Sequence, residues 1–313
     1  MPEFLTIGEP LVVFGATDLD QSLTDATHFK KHLAGAELNV AVGLARLNHA
    51  TQYITQLGVD PFGKFITKAL KENNIATDYV HTTKDAWTGF QLKERVSSGD
   101  PATFYFRKNS AAAQMNTQVI DEIDFSGLKH LHLSGIYAAL SAQSRQTLQY
   151  LLNKAHEHGI TISFDPNLRP ALWASRDDMI DTLNHFAFQA DIVMPGANEG
   201  KILLGSNDPE TIANFYLNRG VKLAVVKVGT KGSFAKNAAG ETFFVPTFKV
   251  DHVVDTVGAG DGFAVGFISA RLEGLSVEAA LQRGNAIGAL AVQNAGDSDG
   301  YPNSEELKIF LKS

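Results

Sequence analysis

The stretch Asp255-Thr256-Val257-Gly258-Ala259-Gly260-Asp261-Gly262 has residue types and a spacing that could do chemistry. Glycines two apart allow a tight turn, and the apolar residues that follow, Phe263-Ala264-Val265, read as the helix it opens. A helix N-terminus carries N–H groups without intrahelical acceptors and the positive end of the helix dipole. The amides of Gly258, Ala259 and Gly260 therefore suit a phosphate, or a transition state whose negative charge is spread. Asp261 falls in the first turn, where its carboxylate can face the same ligand. Phosphoryl transfer needs positioning, charge stabilisation and an acceptor for the attacking hydroxyl's proton. The same pattern also serves as a plain helix start with a dipole-friendly aspartate.

Other candidate positions lie where apolar runs end. Asp165-Pro166-Asn167-Leu168-Arg169 closes one run, at the C-terminal end of a strand, where ligands of open α/β sheets collect. Asp165 and Asn167 can equally satisfy the backbone of their own turn. Val225-Val226-Lys227-Val228-Gly229-Thr230-Lys231-Gly232 is a second strand followed by a glycine-bounded turn. His130 and His132 share a strand face, whereas His156 and His158, two apart on a helix, do not face each other. Neither pair brings the third ligand of a zinc site, so these histidines read as core or surface residues. Trp87 and Trp173 can line a site or simply pack.

These side chains need a frame to position them. Short apolar runs alternate with amphipathic stretches, the pattern of a mostly parallel sheet covered by helices. Strands are expected over 4–8, 53–57, 130–133, 161–165, 192–194 and 223–228. Helices are expected over 37–47, from Asp60 as N-cap to about 74, and over 141–158, 260–272 and 276–294. Residues 11–33 and 87–108 break the rhythm with period-two alternation and no helix between. They predict a small antiparallel sheet standing apart, a flap over a ligand site or a dimer contact. The fold class is α/β, a doubly wound, mostly parallel sheet with helices on both faces. One domain over 1–313, with that lid, is the expected organisation.

Composition narrows the function classes. A formal net charge of −7 disfavours a nucleic-acid surface, which needs a cationic patch. The absence of cysteine excludes disulfides and thiolate metal sites. No apolar run reaches the roughly 18 residues of a membrane span. The start Met1-Pro2-Glu3-Phe4-Leu5 lacks a signal peptide's basic and apolar regions. A cytoplasmic enzyme without nucleic-acid or membrane partners is expected.

The glycine turn closely resembles the C-terminal signature of the PfkB or ribokinase-like sugar kinases. Leu33-Ala34-Gly35-Ala36-Glu37-Leu38-Asn39-Val40-Ala41 resembles the N-terminal signature, about 220 residues earlier and in the family's order. The resemblance extends over the rest of the chain. It implies a ribokinase-like fold, ATP as phosphoryl donor with Mg2+, Asp261 as base, and Gly258, Ala259 and Gly260 as the anion hole. Glu37 in its Gly-Ala-Glu-Leu-Asn context looks like 2-keto-3-deoxygluconate kinases, whereas many fructokinases resemble Gly-Ala-Pro-x-Asn. The segments 106–112, 132–136 and 296–302 point the same way.

By that resemblance Gly35, Ala36, Glu37, Asn39, Phe90, Tyr105, Arg107, Arg169 and Asp297 would surround the sugar. Asn167, Lys227, Gly229, Lys231, Gly232 and Asn285, with Gly258 and Gly260, would line ATP. A sugar acid brings a carboxylate that a guanidinium can grip with two parallel hydrogen bonds. Arg107 and Arg169 are the candidates, a surface ion pair being the alternative for each. The chain departs from the family at Gly196-Ala197-Asn198-Glu199, where an Asn-x-x-Glu element keeps its glutamate and has Gly196 for the asparagine. Magnesium would then arrive bound to ATP and waters, with Glu199 reaching it through water. The implied reaction is ATP-dependent phosphorylation of 2-keto-3-deoxygluconate at its 6-hydroxyl. A fructokinase or other neutral-sugar kinase is one alternative, and a non-catalytic sugar-acid sensor another. The lid resemblance implies a homo-oligomer, a dimer or higher.

Overall fold

Strands that read as unbroken apolar runs assemble into a sheet buried on both faces. The computed structural model describes residues 2–99, 101–294 and 296–312. Its strands are β1 (Phe4–Ile7), β2 (Leu11–Leu19), β3 (Phe29–Ala34), β4 (Thr51–Gly58), β5 (Val80–Thr83), β6 (Phe90–Arg95) and β7 (Thr103–Phe106). They continue with β8 (His130–Ser134), β9 (Thr161–Asp165), β10 (Ile192–Val193), β11 (Leu223–Lys227), β12 (Ser233–Asn237) and β13 (Thr242–Val245). The helices are α1 (Ala36–Arg46), α2 (Pro61–Glu72), α3 (Gln118–Asp121), α4 (Gly135–Ala139), α5 (Ala142–Glu157) and α6 (Arg176–Ala187). After them come α7 (Ala197–Leu203), α8 (Pro209–Leu217), α9 (Ala259–Leu272), α10 (Val277–Ala291) and α11 (Ser304–Phe310).

The large sheet has the order β13-β12-β11-β10-β9-β8-β1-β4-β5. Its pairs are parallel except at the β11-β12-β13 edge. Side chains alternate across each strand, so successive residues serve different layers. Leu5, Leu131, Ile162 and Val226 pack with Leu148 of α5 and Ile212 of α8. Phe4, Ile192 and Val225 pack on the opposite face with Leu44 of α1 and Phe267 of α9. His130 and His132 lie inside the sheet, where both rings meet the Ser163 hydroxyl, at 2.8 and 2.9 Å. The chain leaves β1 toward β4 on one side and later returns to β8 on the other, so a crevice forms at the C-terminal ends of these strands.

Caps written in the sequence start the helices. Asp60 accepts the Phe62 and Gly63 amides, with Pro61 opening α2. Ser141 forms a capping box with Ser144, and Ser276 accepts the Ala279 amide. Such caps contribute about 1 kcal/mol each. Among the described residues, no helix is long and apolar enough to cross a membrane.

The smaller sheet, β3-β2-β6-β7, stands over the crevice. β2 with β3 and β6 with β7 are antiparallel ladders, and the middle pair β2 and β6 is parallel. Parallel neighbours need a long crossover, and the excursion through α1, β4, α2 and β5 supplies it.

α9 and α10 approach closely because each has a glycine at the crossing. A Cβ at Gly266 would strike the Arg283 carbonyl, and one at Gly284 would lie 3.0 Å from the Phe263 carbonyl. Gly266→Ala should gain about 1 kcal/mol of helix propensity. It should lose more by pushing two backbones apart, typically 1–3 kcal/mol for overpacking. A net loss of stability in urea unfolding is expected, and a stabilised variant would contradict this packing.

Candidate active site

A cavity of about 480 Å³ lies between the lid and the strand ends, with Asp261 in its wall. Two amides hold that carboxylate, one on each oxygen. Asn39 Nδ2 donates to Oδ2 at 2.8 Å, and Asn167 Nδ2 donates to Oδ1 at 3.3 Å. Asn39 reaches it because the chain turns sharply from β3 into α1 at Gly35, whose φ is 140°. A Cβ there would crowd the Glu9 carbonyl and Pro10. Asn167 has a left-handed backbone, φ 40°, which asparagine tolerates better than most residues. Its own N–H donates to Asp165 Oδ1 at 3.1 Å, so the turn after β9 is held from both sides.

The glycine turn starts α9, with Gly258 at φ 76°. Among the described residues the amides of Gly260 and Asp261 have no hydrogen-bond acceptor within the protein, as first-turn amides commonly do not. The Ala259 amide instead leans toward the Thr256 carbonyl at 3.4 Å. Lys227 Nζ lies 2.5 Å from Asp165 Oδ2, and a Cβ on Gly260 would be 3.6 Å from that ammonium. A cation and unpaired amides thus share one corner. Both can meet an anionic group, while the carboxylates of Asp165, Glu199 and Asp261 also face Lys227.

Burial pushes the Asp261 carboxyl up to about 7; the Asn39 hydrogen bond opposes the rise, neighbouring Asp165 adds to it, and Arg169 and Lys227 resist it. Asp297 is pushed up to about 6 by burial against the charge of Lys93. Glu199 is also raised by burial, with Lys227 opposing. Its two oxygens accept from the Leu168 amide at 2.8 Å and the Gly196 amide at 2.6 Å, bracing two site loops. Among the described residues no three acidic or histidine side chains cluster as a direct metal cage. Asp165 and Glu199 are hard oxygen donors already engaged with protein groups. They fit a magnesium ion held chiefly by ATP and water, whose waters these carboxylates would receive.

Gly35, Ala36, Asn39, Tyr105, Arg107, Asn167, Arg169, Glu199, Lys227, Gly258, Gly260, Asp261 and Asp297 all line this cavity. Arg169 sits exposed at the rim, its Nη1 donating to the Leu168 carbonyl at 2.9 Å. Arg107 arrives already paired. Its Nε lies 2.6 Å from Glu9 Oε2, and the same carboxylate accepts the Ser110 hydroxyl.

Several of the expected site residues lie outside this cavity's lining. Glu37 is wholly buried against Gly8, outside the cavity lining, and burial pushes it up to about 7. Two residues along a helix amount to about 200° of rotation, so Glu37 faces the sheet when Asn39 faces the cavity. Phe90 lies outside the lining and stacks on Phe106 at 4.5 Å between ring centroids. The inner face of β6 instead carries Gln91 and Lys93. Asn285 is buried, donating to the Val245 and Pro246 carbonyls at 2.9 and 3.3 Å, which makes it a brace for the segment after β13. Gly229, Lys231 and Gly232 form the turn after β11 outside this cavity, with Lys231 exposed and Gly232 packed under the Val245 carbonyl. Glu9, Gln91, Lys93 and Thr103 line the cavity without having been singled out. The alternation Phe90-Gln91-Leu92-Lys93 held the signal for two of them, since its polar members share a face.

Comparison with known proteins shows the family and the fold. The model of the pfkB family carbohydrate kinases matches residues 1–304. A 2-dehydro-3-deoxygluconokinase of Bacillus subtilis is 44% identical over 310 residues, 99% of this chain and 95% of that protein. A 5-dehydro-2-deoxygluconokinase of Geobacillus thermodenitrificans is 29% identical, covering 99% of this chain and 93% of its own. The crystal structure of a PfkB protein from Polaromonas superposes with a TM-score of 0.89 at 40% identity, covering 98% and 99% of the two chains. An E. coli protein described as a ribokinase II, in complex with ATP and Mg2+, gives 0.90 at 28% identity, covering 100% and 99%.

An Asp261 that accepts a proton must first be ionised. The kcat/KM of phosphoryl transfer should therefore rise with the ionised fraction as pH increases and level off above about 7. A profile flat across that value would show that no such base titrates.

Proposed function

Because the chain belongs to the pfkB family of carbohydrate kinases, we propose that it uses ATP to phosphorylate 2-keto-3-deoxygluconate at its 6-hydroxyl. The observation that carries the proposal is the Asp261 carboxylate, held by Asn39 and Asn167 beside the unpaired amides of Gly260 and Asp261. The sugar's hydroxyl oxygen attacks the terminal phosphorus of ATP, the bond to ADP breaks, and the hydroxyl proton passes to Asp261. The first-turn amides and the Lys227 ammonium meet the charge on the transferring group, which would otherwise need water to solvate it. Magnesium bound with ATP offsets charge on the phosphate oxygens. Lid residues Tyr105, Gln91 and Lys93 cover the opposite wall and would exclude water from the sugar.

The choice of a sugar acid has two supports. One is the 44% identity to the Bacillus enzyme. The other is cationic: Arg169 stands at the rim and Lys93 on the inner lid, able to meet a carboxylate that a neutral hexose lacks. Arg107, paired with Glu9, forms part of the wall. A homo-oligomer belongs to the same reading, since Phe104 and Phe106 expose aromatic surface on the outer lid face. So does a cytoplasmic location, where ATP is the available donor.

A panel of keto-deoxy sugar acids and neutral hexoses, assayed with ATP and Mg2+, tests the substrate. The sugar acid should be preferred, and Arg169→Ala should raise its KM by about ten- to a hundred-fold, the range of a lost charged hydrogen bond. A neutral hexose should be affected little. Preference for the hexose would move the chain to the fructokinase-like alternative, and no ATP consumption with any sugar would support a sensor.

A further inference from the structure

Tyr301 precedes α11, and its ring fills a slot between α1 and α9. The slot exists because Gly43 and Gly262 lack side chains; a Cβ on either would come within 3.0 and 2.9 Å of the ring. From that slot the Tyr301 hydroxyl donates to the Gly258 carbonyl at 2.6 Å. The same carbonyl accepts the Gly262 amide at 2.7 Å, so two donors fix its direction. A peptide group is planar, so fixing this carbonyl fixes the plane from which α9 begins. Local sterics cannot do that work, because Gly258 and Gly260 leave the turn with unusual rotational freedom. The loop bearing Tyr301 is itself pinned. Arg46 Nη1 donates to the Ser298 and Tyr301 carbonyls at 2.6 and 3.1 Å, and the Asp297 carbonyl occupies the place of a Cβ on Gly258.

We propose that Tyr301 is a positioning residue for phosphoryl transfer. Its hydroxyl sets the Gly258 peptide so that the Gly260 and Asp261 amides, and the Asp261 carboxylate, converge on the transferring group. Arg46 extends the arrangement to α1, the helix that carries Asn39. The inference rests on the kinase reading above and adds a residue that touches neither substrate.

Tyr301→Phe keeps the ring and removes only the hydroxyl. It should lower kcat on the order of ten-fold, less than the loss of an anion-hole donor itself, with both KM values within about two-fold. The affinity for ADP with aluminium fluoride, a planar mimic of the transferring group, should fall by a similar factor while that for ADP alone holds. Arg46→Met should shift the same quantities in the same direction by a smaller factor. A Tyr301→Phe protein with a lower melting temperature but wild-type kcat would reduce the residue to packing and overturn the proposal. Equal losses for ADP with and without aluminium fluoride would overturn it too. If wild-type protein phosphorylates a different sugar, the substrate reading fails, and the same ratios on that sugar still decide the role of Tyr301.

Discussion

In the mechanism proposed here a buried carboxylate accepts a proton and so must still be able to carry charge, and the two-amide grip on Asp261 would meet that constraint. Burial alone favours the neutral acid, whereas an N–H aimed at each oxygen favours the anion. The balance leaves the group near 7, where both forms are accessible. The two donors lie 222 and 94 residues from Asp261 along the chain, so neither can be supplied locally. Much of the frame serves to bring them together. β3 must end in a glycine turn so that α1 points Asn39 inward, β9 must end in a left-handed Asn167, and α9 must begin beside both.

The charges around that grip are arranged on an acidic protein of net charge −7. Lys227 is surrounded by Asp165, Glu199 and Asp261; burial lowers its proton affinity, but those carboxylates win and leave it raised. The ammonium therefore stays charged in the cavity wall. On the lid side Lys93 lies 3.2 Å from Asp255, which ties the inner lid to the segment entering the glycine turn. Glu9 and Arg107 form a second pair, each less than a tenth exposed. Breaking such a pair would leave one charge buried alone, commonly at a cost of about 3–5 kcal/mol. Among the described residues, four basic and five acidic side chains thus line the cavity side by side.

What was legible in the sequence was what short stretches encode. The turn at Gly258-Ala259-Gly260 and the apolar strands announce themselves because their chemistry is local. The Asp60 cap was legible for the same reason. The phase of the lid strands was not. Alternation separates Phe90 from Gln91 but does not say which face the cavity takes; the aromatic cluster of Phe14, Phe62, Phe90 and Phe106 decides it. Pairings across the fold were equally hidden. Glu9 waits for Arg107 from 98 residues away, and Asn285 finds its carbonyl partner Val245 40 residues back. A resemblance can nominate such residues as ligand contacts, but only the packed structure tells which have already spent their hydrogen bonds on protein.

The central claim is that Asp261 receives the proton, and replacing it with an amide of the same shape tests this most directly. Asp261→Asn, assayed with 2-keto-3-deoxygluconate, ATP and Mg2+, should lose kcat by roughly 10²–10⁴-fold with little change in sugar KM. A variant that kept kcat within a few-fold of the parent would contradict the account.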